Sequence, residues 1–247
     1  MVSASSAIEF FLLIRPHWRV SALDSMGLLG GILTAWDPNV GDFQVFKTVA
    51  GLLVEGLVRG FEEKVHLLNV YAPCRDRLPF RKKVESNGIL YLENLVLGGD
   101  LNLTLGAAEV WGGTSLIDPL AGYFKDLFVS TNLVDISLAH LAPTWRNGRL
   151  GQDQVAKRLD HFLVSGELVD RLGHYHCWNS SDYISDHLPV SLQVEFEYKR
   201  LHYPFKFNKI WLPDEEFWSM VTEGVDRDLL ADLTHRKDHL LNLQEIT

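Results

Sequence analysis

Short runs of β-branched and other apolar residues, bounded by glycine, proline, asparagine or aspartate, recur along most of this chain. Runs of this length and composition are typical of β-strands. The run that ends at Tyr71 is stopped by Pro73, and the polar segment 59–63 before it predicts a hairpin or a meander with the preceding run. The predicted strands are 30–36, 43–48, 52–58, 65–71, 95–98, 158–165 and 190–196.

Helical patterns are fewer. Segment 75–93 has a helical pattern that Asn87 and Gly88 are expected to interrupt, and 118–131 is predicted as a second helix, closed by 132–135. Strands interspersed with few helices favour packed sheets covered by helices over a doubly wound sheet. The apolar run 7–14 is far too short to span a bilayer, so we predict that it is buried in the core.

The character of the sequence changes near residue 198. Segment 199–209 is basic and aromatic, and from residue 214 the chain is charged and helical in pattern with no strand signal. We therefore predict one domain over residues 1–197 and a separate connector with a helical tail over residues 198–247.

Composition indicates an ordinary globular protein, with 247 residues of which 47% are hydrophobic and 22% charged. The two cysteines, Cys74 and Cys177, predict free thiols in a reducing compartment rather than a disulfide framework. We therefore expect an intracellular protein, nuclear or cytoplasmic, that is not secreted, has no membrane partner and needs no obligate protein partner. A zinc site at His174, His176 and Cys177 would lack a fourth ligand at a fitting spacing.

The formal net charge of −9 disfavours a nucleic-acid partner, because phosphate binding usually leaves a basic footprint. One basic groove can nevertheless coexist with a remote acidic face. Two groups of basic residues could hold a DNA backbone or simply form a solvated surface. They are Arg75, Arg77, Arg81, Lys82 and Lys83, and then Arg146, Arg149, Lys157 and Arg158.

The segment 97–102 carries the first candidate chemistry, because an apolar run ends in two glycines followed by Asp100 and Asn102. Residues two apart on a strand point to the same side, so both side chains could face one ligand. The alternative is a turn in which these side chains hydrogen-bond their own backbone. Residues elsewhere in the chain must decide between the two.

Hydrolysis of a phosphate ester needs an oriented water, stabilisation of developing negative charge and usually a divalent cation. Asp100 and Asn102 could position the water, and Asp186 could bind Mg²⁺ through oxygen. His187 could stabilise or protonate the phosphate oxygens, with Asp160 orienting its ring. Taken singly, Asp160 could also merely begin a strand, and Asp186 and His187 could form an ordinary loop.

The ordered set of motifs resembles the endonuclease/exonuclease/phosphatase superfamily, which includes the apurinic-site endonucleases and DNase I. Segment 30–38 makes the chain most similar to the N-terminal endonuclease of LINE-type non-LTR retrotransposons. Segment 204–211 resembles the connector between that endonuclease and the reverse transcriptase of those elements. We therefore expect a truncated, domesticated or decayed retroelement reading frame. The matching segments are VYAP (70–73), GGDLN (98–102), PTWRNGR (143–149), RLDHFLVS (158–165) and SDHLPV (185–190).

The resemblance implies an α+β fold of the DNase I type, a four-layer α/β/β/α sandwich with two central, mostly antiparallel β-sheets. A cleft at one edge of the sheets would carry the site. By similarity, Tyr71 contacts the scissile phosphate, Asp100 orients or deprotonates the attacking water, and Asn102 helps to place it. His187 meets the phosphate, Asp160 supports His187, and Asp186 lies at the metal end. Substrate contacts are predicted for Thr144, Trp145, Arg146 and Asn147.

One departure from the family pattern concerns the metal. Family members begin with a strand that supplies an asparagine, followed by a segment whose glutamate is a principal Mg²⁺ ligand. Too few residues precede Gly30 for both, and Glu9 lies in an apolar run at the wrong distance. We therefore expect weakened binding of Mg²⁺ or Mn²⁺, and one sheet that lacks a strand and exposes an edge.

Three hypotheses follow. The first is a Mg²⁺-dependent endonuclease of the retroelement type that hydrolyses phosphodiester bonds in DNA. The second is a non-catalytic remnant that keeps the fold. The third keeps the chemistry but acts on phosphomonoesters, and the connector-like segment 204–211 argues against it.

Overall fold

A computed structural model describes residues 3–25, 30–113, 118–180 and 185–196 of the chain. The predicted boundary near residue 198 and the tail 198–247 lie outside these residues and stay predictions. The helices are α1 (Ala4–Ile14), α2 (Arg77–Ser86), α3 (Ala121–Ser130) and α4 (Gly166–Val169). The strands are β1 (Arg19–Leu23), β2 (Ile32–Trp36), β3 (Gly41–Lys47), β4 (Gly51–Val58), β5 (Lys64–Tyr71), β6 (Leu95–Asp100), β7 (Val110–Trp111), β8 (Leu133–Asp135), β9 (Trp145–Arg146), β10 (Ala156–Lys157), β11 (Asp160–Ser165), β12 (Leu172–Asn179) and β13 (Val190–Phe196).

A six-stranded sheet in the order β3-β4-β5-β6-β11-β8 forms the centre of the fold. Its pairs are antiparallel except for β5 and β6, which run parallel. The predicted hairpin is confirmed as β4–β5, and each predicted strand has a counterpart. The α2 helix ends at Ser86 with Asn87 as its C-cap, as the Asn-Gly signal predicts.

The two faces of this sheet are covered differently. Side chains of α2 and α3, such as Val84, Phe124 and Phe128, pack with Leu68 and Leu97 on one face. The opposite face packs against two separate hairpins, β1–β2 and β12–β13, and α1 lies against β1. These layers confirm the predicted four-layer, DNase I-like arrangement of helices and mostly antiparallel sheets. The second sheet is divided into two hairpins in the described part of the chain, in keeping with the expected open edge.

The prediction that run 7–14 is buried is wrong. This run lies on α1, where Phe10, Leu13 and Ile14 are 66%, 82% and 59% exposed and no residue of the helix is buried. The helix is an outer layer over a two-stranded hairpin, which is too narrow to cover it. No helix among the described residues is long and apolar enough to cross a membrane.

Six strands lie where the sequence pattern predicted none. Segment 132–135, expected only to close a helix, forms β8 at one edge of the central sheet, after the left-handed turn at Asn132. The others are β1, β12 and the two-residue strands β7, β9 and β10. In β12 four consecutive residues are exposed, so its sequence lacks the alternation that predicts a half-buried strand.

Candidate active site

The site begins with three neighbouring strand ends. β5 and β6 are parallel and β11 is antiparallel to them, so the ends of β5 and β6 meet the start of β11 at one edge of the sheet. Tyr71 pairs with Asp100, and Asp100 pairs with Asp160. Side chains that are paired across a sheet point to the same face. Three of the predicted residues, distant in sequence, are therefore brought side by side.

Glycine is required just before Asp100. Gly99 has φ of +140°, and a Cβ on it would lie 2.0 Å from the carbonyl oxygen of Val70 on the neighbouring strand. Asn102 then turns the chain with φ of 48°, a conformation that asparagine tolerates better than most residues. The pairing of β6 with its neighbouring strands therefore continues as far as Asp100, which is the last residue of the strand.

Asn102 and Asp100 form a small hydrogen-bonded unit. The backbone N–H of Asn102 donates to Asp100 Oδ1 over 2.8 Å, and the Asn102 amide donates to Asp100 Oδ2 over 3.1 Å and to the Ala72 carbonyl over 2.7 Å. The turn reading of this segment is therefore correct in part. The same turn leaves Asp100 beside a cleft. A turn that bonds its own backbone and a strand end that faces a ligand are therefore both present in this segment.

Two arginines on α2, one turn apart, hold the loop that follows Asp100. Arg77 donates to the Asn102 carbonyl over 2.7 Å and forms a bidentate pair with Asp118. Arg81 is buried, donates to the Leu101 carbonyl and stacks 4.5 Å above the Phe124 ring. Arg81 is buried inside the fold and is therefore not a DNA-backbone contact, whereas Arg77 also lines the cleft and stays a predicted contact.

His187 joins the strand ends from a separate segment. Its Nδ1 donates to Asp160 Oδ2 over 2.9 Å, and its Nε2 lies 3.8 Å from Asp100 Oδ2. The backbone of 186–188 is held against the β9 segment, since Arg146 N donates to the Asp186 carbonyl and Leu188 N donates to the Thr144 carbonyl. The predicted pairing of Asp160 with His187 is present.

Asp186 lies at the exposed rim of the site. It accepts a 3.0 Å hydrogen bond from Trp145 Nε1 and a 3.2 Å bond from Ser185. These bonds, the Trp145 bond first, lower the pKa of Asp186. The carboxylate is thus ionised and accessible.

Two predicted substrate contacts form hydrogen bonds within the fold. Thr144 is 0% exposed, and its hydroxyl accepts hydrogen bonds from the backbone N–H groups of Leu159 and Asp160. The Asn147 side chain is bonded to Asp153 O, Arg149 N and Val155 N within its own loop. Direct binding of substrate by the Thr144 side chain is therefore excluded by burial, and Asn147 shapes the loop.

Six of the predicted residues line one cavity of about 570 Å³, and Asp160 is joined to it through its bond to His187. Trp145 and Lys157 form part of its wall, while Arg146 borders a separate depression of about 860 Å³ beside Gly112, Gly113 and Gln154. Lys157 and Trp145 therefore reach the cleft from the small sheet β7-β10-β9. Predicted residues on its wall are Tyr71, Asp100, Asn102, Trp145, Asp186 and His187.

The surroundings shift the proton affinities of the cleft residues. Burial raises the pKa of Asp100 to about 6, and the nearby Asp160 carboxylate adds to the increase. The hydrogen bond to Asp160 raises the pKa of His187. Burial and the adjacent Asp100 raise the pKa of the Tyr71 hydroxyl. A carboxylate whose pKa is raised to about 6 therefore lies 3.8 Å from an imidazole whose pKa is also raised.

The cleft offers oxygen ligands to a cation, but among the described residues it holds no group of three ligand atoms close enough to share one ion. Within the described ranges, the only group of three acidic, histidine or cysteine ligand atoms close enough to share an ion is Glu109, Asp135 and His161, outside the cleft. Mg²⁺ is often held by one or two carboxylates together with substrate phosphates and water. The exposed, ionised Asp186 fits such a partial site, and the donor set fits weak rather than strong binding.

The Glu109, Asp135 and His161 group is already occupied by an arginine. Arg158 is 2% exposed and bonds to Glu109 over 2.7 Å and to both oxygens of Asp135 over 2.7 and 2.8 Å. His161 Nδ1 lies 3.1 Å from Asp135, and its Nε2 lies 3.2 Å from Leu103 O. The guanidinium stands where a cation would lie, so this is an ion-pair network. Arg158 is therefore not a DNA contact, and sequence reasoning missed Glu109 and Asp135.

The zinc alternative is not supported by the positions of its residues. His174 and His176 lie on the exposed face of β12, whereas Cys177 is buried on the opposite face with its pKa raised to about 11 by burial. Cys74 and Cys177 are both free thiols, as predicted.

Known proteins match this chain in structure but not in sequence. No family model and no curated protein matches it. The endonuclease domain of TRAS1, a telomere-specific non-LTR retrotransposon, matches with TM-score 0.52 and 16% identity, over 80% of this chain and 95% of that chain. The AP endonuclease LMAP from Leishmania major matches with TM-score 0.58 and 16% identity, over 74% and 71% of the two chains. An AP endonuclease from Archaeoglobus fulgidus gives 0.54 and 16%, over 75% and 81%.

The chain therefore has the fold of these nucleases. The resemblance that the motifs predicted, to the endonuclease/exonuclease/phosphatase superfamily and to a retrotransposon endonuclease domain, is confirmed at the level of the fold. Function has to be argued from the cleft itself.

Proposed function

We propose that the cleft hydrolyses phosphodiester bonds in DNA with the help of a divalent cation, as an endonuclease of retroelement origin. The observation that carries the proposal is the convergence of Tyr71, Asp100, Asp160 and His187 from four segments at one sheet edge. Independent turns have no reason to place a carboxylate with a raised pKa beside an imidazole. The names of the structural neighbours, an AP endonuclease and a retrotransposon endonuclease domain, support the choice of DNA.

Each residue has a chemical task in this proposal. Asp100, with a pKa of about 6, is ionised at neutral pH and accepts the proton of the attacking water. Asn102 fixes both oxygens of Asp100, so the carboxylate keeps one orientation. His187 presents Nε2 to the phosphate oxygens while Asp160 holds Nδ1 and favours the protonated ring.

Mg²⁺ or Mn²⁺, held by Asp186 and the substrate phosphate, would neutralise negative charge on the phosphate. Basic residues near the cleft suit a nucleic-acid backbone. Lys157 lies on the cavity wall, and Arg75, Lys82 and Lys83 are exposed around α2.

Nicking of supercoiled plasmid by the full chain, with Mg²⁺ or Mn²⁺, tests the proposal. His187→Ala should lower the nicking rate by about 10²–10⁴-fold, because it removes the acid–base group. His174→Ala is a matched control, since His174 is exposed on β12 outside the cleft. An unchanged rate in His187→Ala would assign the activity to a contaminant.

The two alternatives correspond to other outcomes of the same assay. A well-folded protein that never nicks DNA at high Mg²⁺ or Mn²⁺ would favour a non-catalytic remnant, which the divided second sheet and the incomplete ligand set support. Hydrolysis of small phosphomonoesters without plasmid nicking would favour a phosphatase.

A further inference from the structure

An arginine is buried behind the turn that follows β6. Arg81, on α2, is 7% exposed, and its guanidinium donates a hydrogen bond to the carbonyl of Leu101, the residue after Asp100. The same guanidinium lies 4.5 Å above the Phe124 ring and 5.8 Å from the ring of Phe80. Arg81 does not line the cleft, so it holds this turn from within the fold.

The surroundings of Arg81 are unfavourable for a charge. Its Nε is buried without a hydrogen-bond partner, and Arg81 forms no ion pair within the described part of the chain. A cavity of about 30 Å³ beside it is lined, among the described residues, by apolar side chains such as Val84 and Leu97. A water molecule there would lack the two to four polar partners that usually hold one.

An apolar side chain would therefore suit this position at least as well. Replacing buried charges by apolar groups of similar volume often leaves the stability of a protein unchanged or raises it. A side chain that breaks a local rule of this kind is expected at functional sites. Stability alone does not account for an arginine at position 81.

The charges around Asp100 offer a reason. Its own burial and the nearby Asp160 carboxylate favour the protonated form, whereas the positive charges of His187 and Arg81 favour the ionised form. Tyr71, on β5, is the other titratable neighbour and stays neutral because burial raises its pKa. The charge of His187 is lost when the pH rises through the pKa of that ring.

The charge of Arg81 is permanent by comparison. Burial lowers its pKa to about 10, and the neighbouring Arg77 adds to the decrease. Asp100, Asp118 and Tyr123 act in the opposite direction. The guanidinium is therefore ionised throughout the pH range in which Asp100 titrates.

We propose that Arg81 is a positioning residue of the Asp100 site, which holds the Leu101 carbonyl from inside the fold and keeps a permanent positive charge behind the Asp100 carboxylate. This inference rests on the proposed function, in which Asp100 accepts the proton of the attacking water. An opposite charge stabilises an ionised carboxylate, so the base stays available at neutral pH in spite of its burial.

The test is Arg81→Met in the full chain, which removes the charge and the hydrogen bond with little change in volume. The side-chain carboxyl carbon of Asp100 is followed by ¹³C NMR from pH 4 to 8 without metal, and Asp100→Asn assigns its signal. We expect the pKa of Asp100 to rise by about one unit or more. The acid limb of the nicking profile should move to higher pH by the same amount.

Urea denaturation separates this role from a structural one. The urea midpoint of Arg81→Met should stay within about 0.5 M of the original value, because the lost Leu101 bond is offset by removal of a buried, unpaired charge. Arg59→Met is the matched control, since Arg59 is exposed in the turn between β4 and β5. It should change neither the pKa of Asp100 nor the urea midpoint.

The carbon signal does not depend on catalysis. If no variant nicks DNA but the pKa of Asp100 rises as expected, the nuclease proposal fails and the placement of the Arg81 charge is supported. An unchanged pKa of Asp100 in Arg81→Met, or an equal rise in Arg59→Met, would overturn the inference. So would a protein that does not fold or whose urea midpoint falls by more than about 0.5 M, because Arg81 would then serve stability.

Discussion

Two carboxylate–histidine pairs lie on opposite faces of the same strand. Asp160 and His161 are consecutive in β11, so one points to the cleft and the other to the opposite side of the sheet. Asp160 holds His187 at 2.9 Å, and Asp135 holds His161 at 3.1 Å. The two pairs are nearly identical in geometry, but only the histidine of the first lines the cleft.

The two pairs differ in the surroundings of the histidine Nε2 atom and in the charged residues next to each pair. His187 is 30% exposed, and its Nε2 faces the cleft, whereas His161 is 0% exposed and directs Nε2 to the Leu103 carbonyl. Arg158 pairs with Asp135, whereas the carboxylates of Asp160, Asp100 and Asp186 raise the pKa of His187. A carboxylate–histidine pair therefore indicates chemistry only when one ring nitrogen is left accessible, and otherwise stabilises the fold.

The largest expected effect is on stability, at the buried pair. Asp135→Ala should lower the free energy of unfolding by about 3–5 kcal/mol, because it leaves Arg158 buried beside Glu109 alone. Burial raises the pKa of Asp135, but hydrogen bonds from His161 and Arg158 outweigh it and hold the pKa at about 2. Urea denaturation measures the loss, and Asp42→Ala, at an exposed carboxylate on β3, is the control. A loss below about 1 kcal/mol would remove the proposed structural role.

The corresponding change at the cleft should affect rate and pH dependence rather than stability. Asp160→Asn should lower the nicking rate about 10–100-fold, by analogy with the loss of other orienting partners. It should also move the alkaline limb of the pH–rate profile to lower pH, because the Asp160 hydrogen bond raises the pKa of His187. Asp126→Asn, at an exposed position on α3, should change neither. A rate loss with an unshifted limb would indicate a purely structural role.

The acid limb of the same profile reports on Asp100. Its pKa is raised, so the ionised base is present above about pH 6 and is lost as pH falls through that value. The nicking rate should therefore fall about tenfold for each pH unit below about 6, measured from pH 4.5 to 9. An acid limb near pH 4 would mean that Asp100 is solvated and is not the base.

The smallest expected effect concerns an exposed ion pair, which calibrates the buried one. Lys64 and Glu55 are 2.8 Å apart, and the lysine side chain is 64% exposed. Lys64→Met should change the free energy of unfolding by no more than about 1 kcal/mol, because water and salt screen such pairs. If it costs as much as Asp135→Ala, burial does not explain the difference between the two regions.

Local patterns in the sequence predicted the elements that carry the site better than the elements at the periphery. Strands β4, β5, β6 and β11 are buried and apolar, so their composition identifies them. β12, largely exposed, gives no such signal, and the apolar run 7–14 misled because a narrow hairpin leaves most of α1 uncovered. The sequence pattern also did not show which charged side chains are paired inside the fold. Arg77, Arg81 and Arg158 look like surface cations until their partners are known.

By itself the sequence determined the buried strands, the residues at their ends and the resemblance of their motifs to a nuclease superfamily, because these depend on short-range order. The tertiary structure decided which of those residues meet. Pairing of β5, β6 and β11 sets Tyr71, Asp100 and Asp160 side by side. The fold also turned one histidine toward the cleft and the other toward Asp135 and the Leu103 carbonyl. Which side chains meet depends on contacts between residues far apart in the chain. The burial of each side chain and the charges around it are set only when these contacts form.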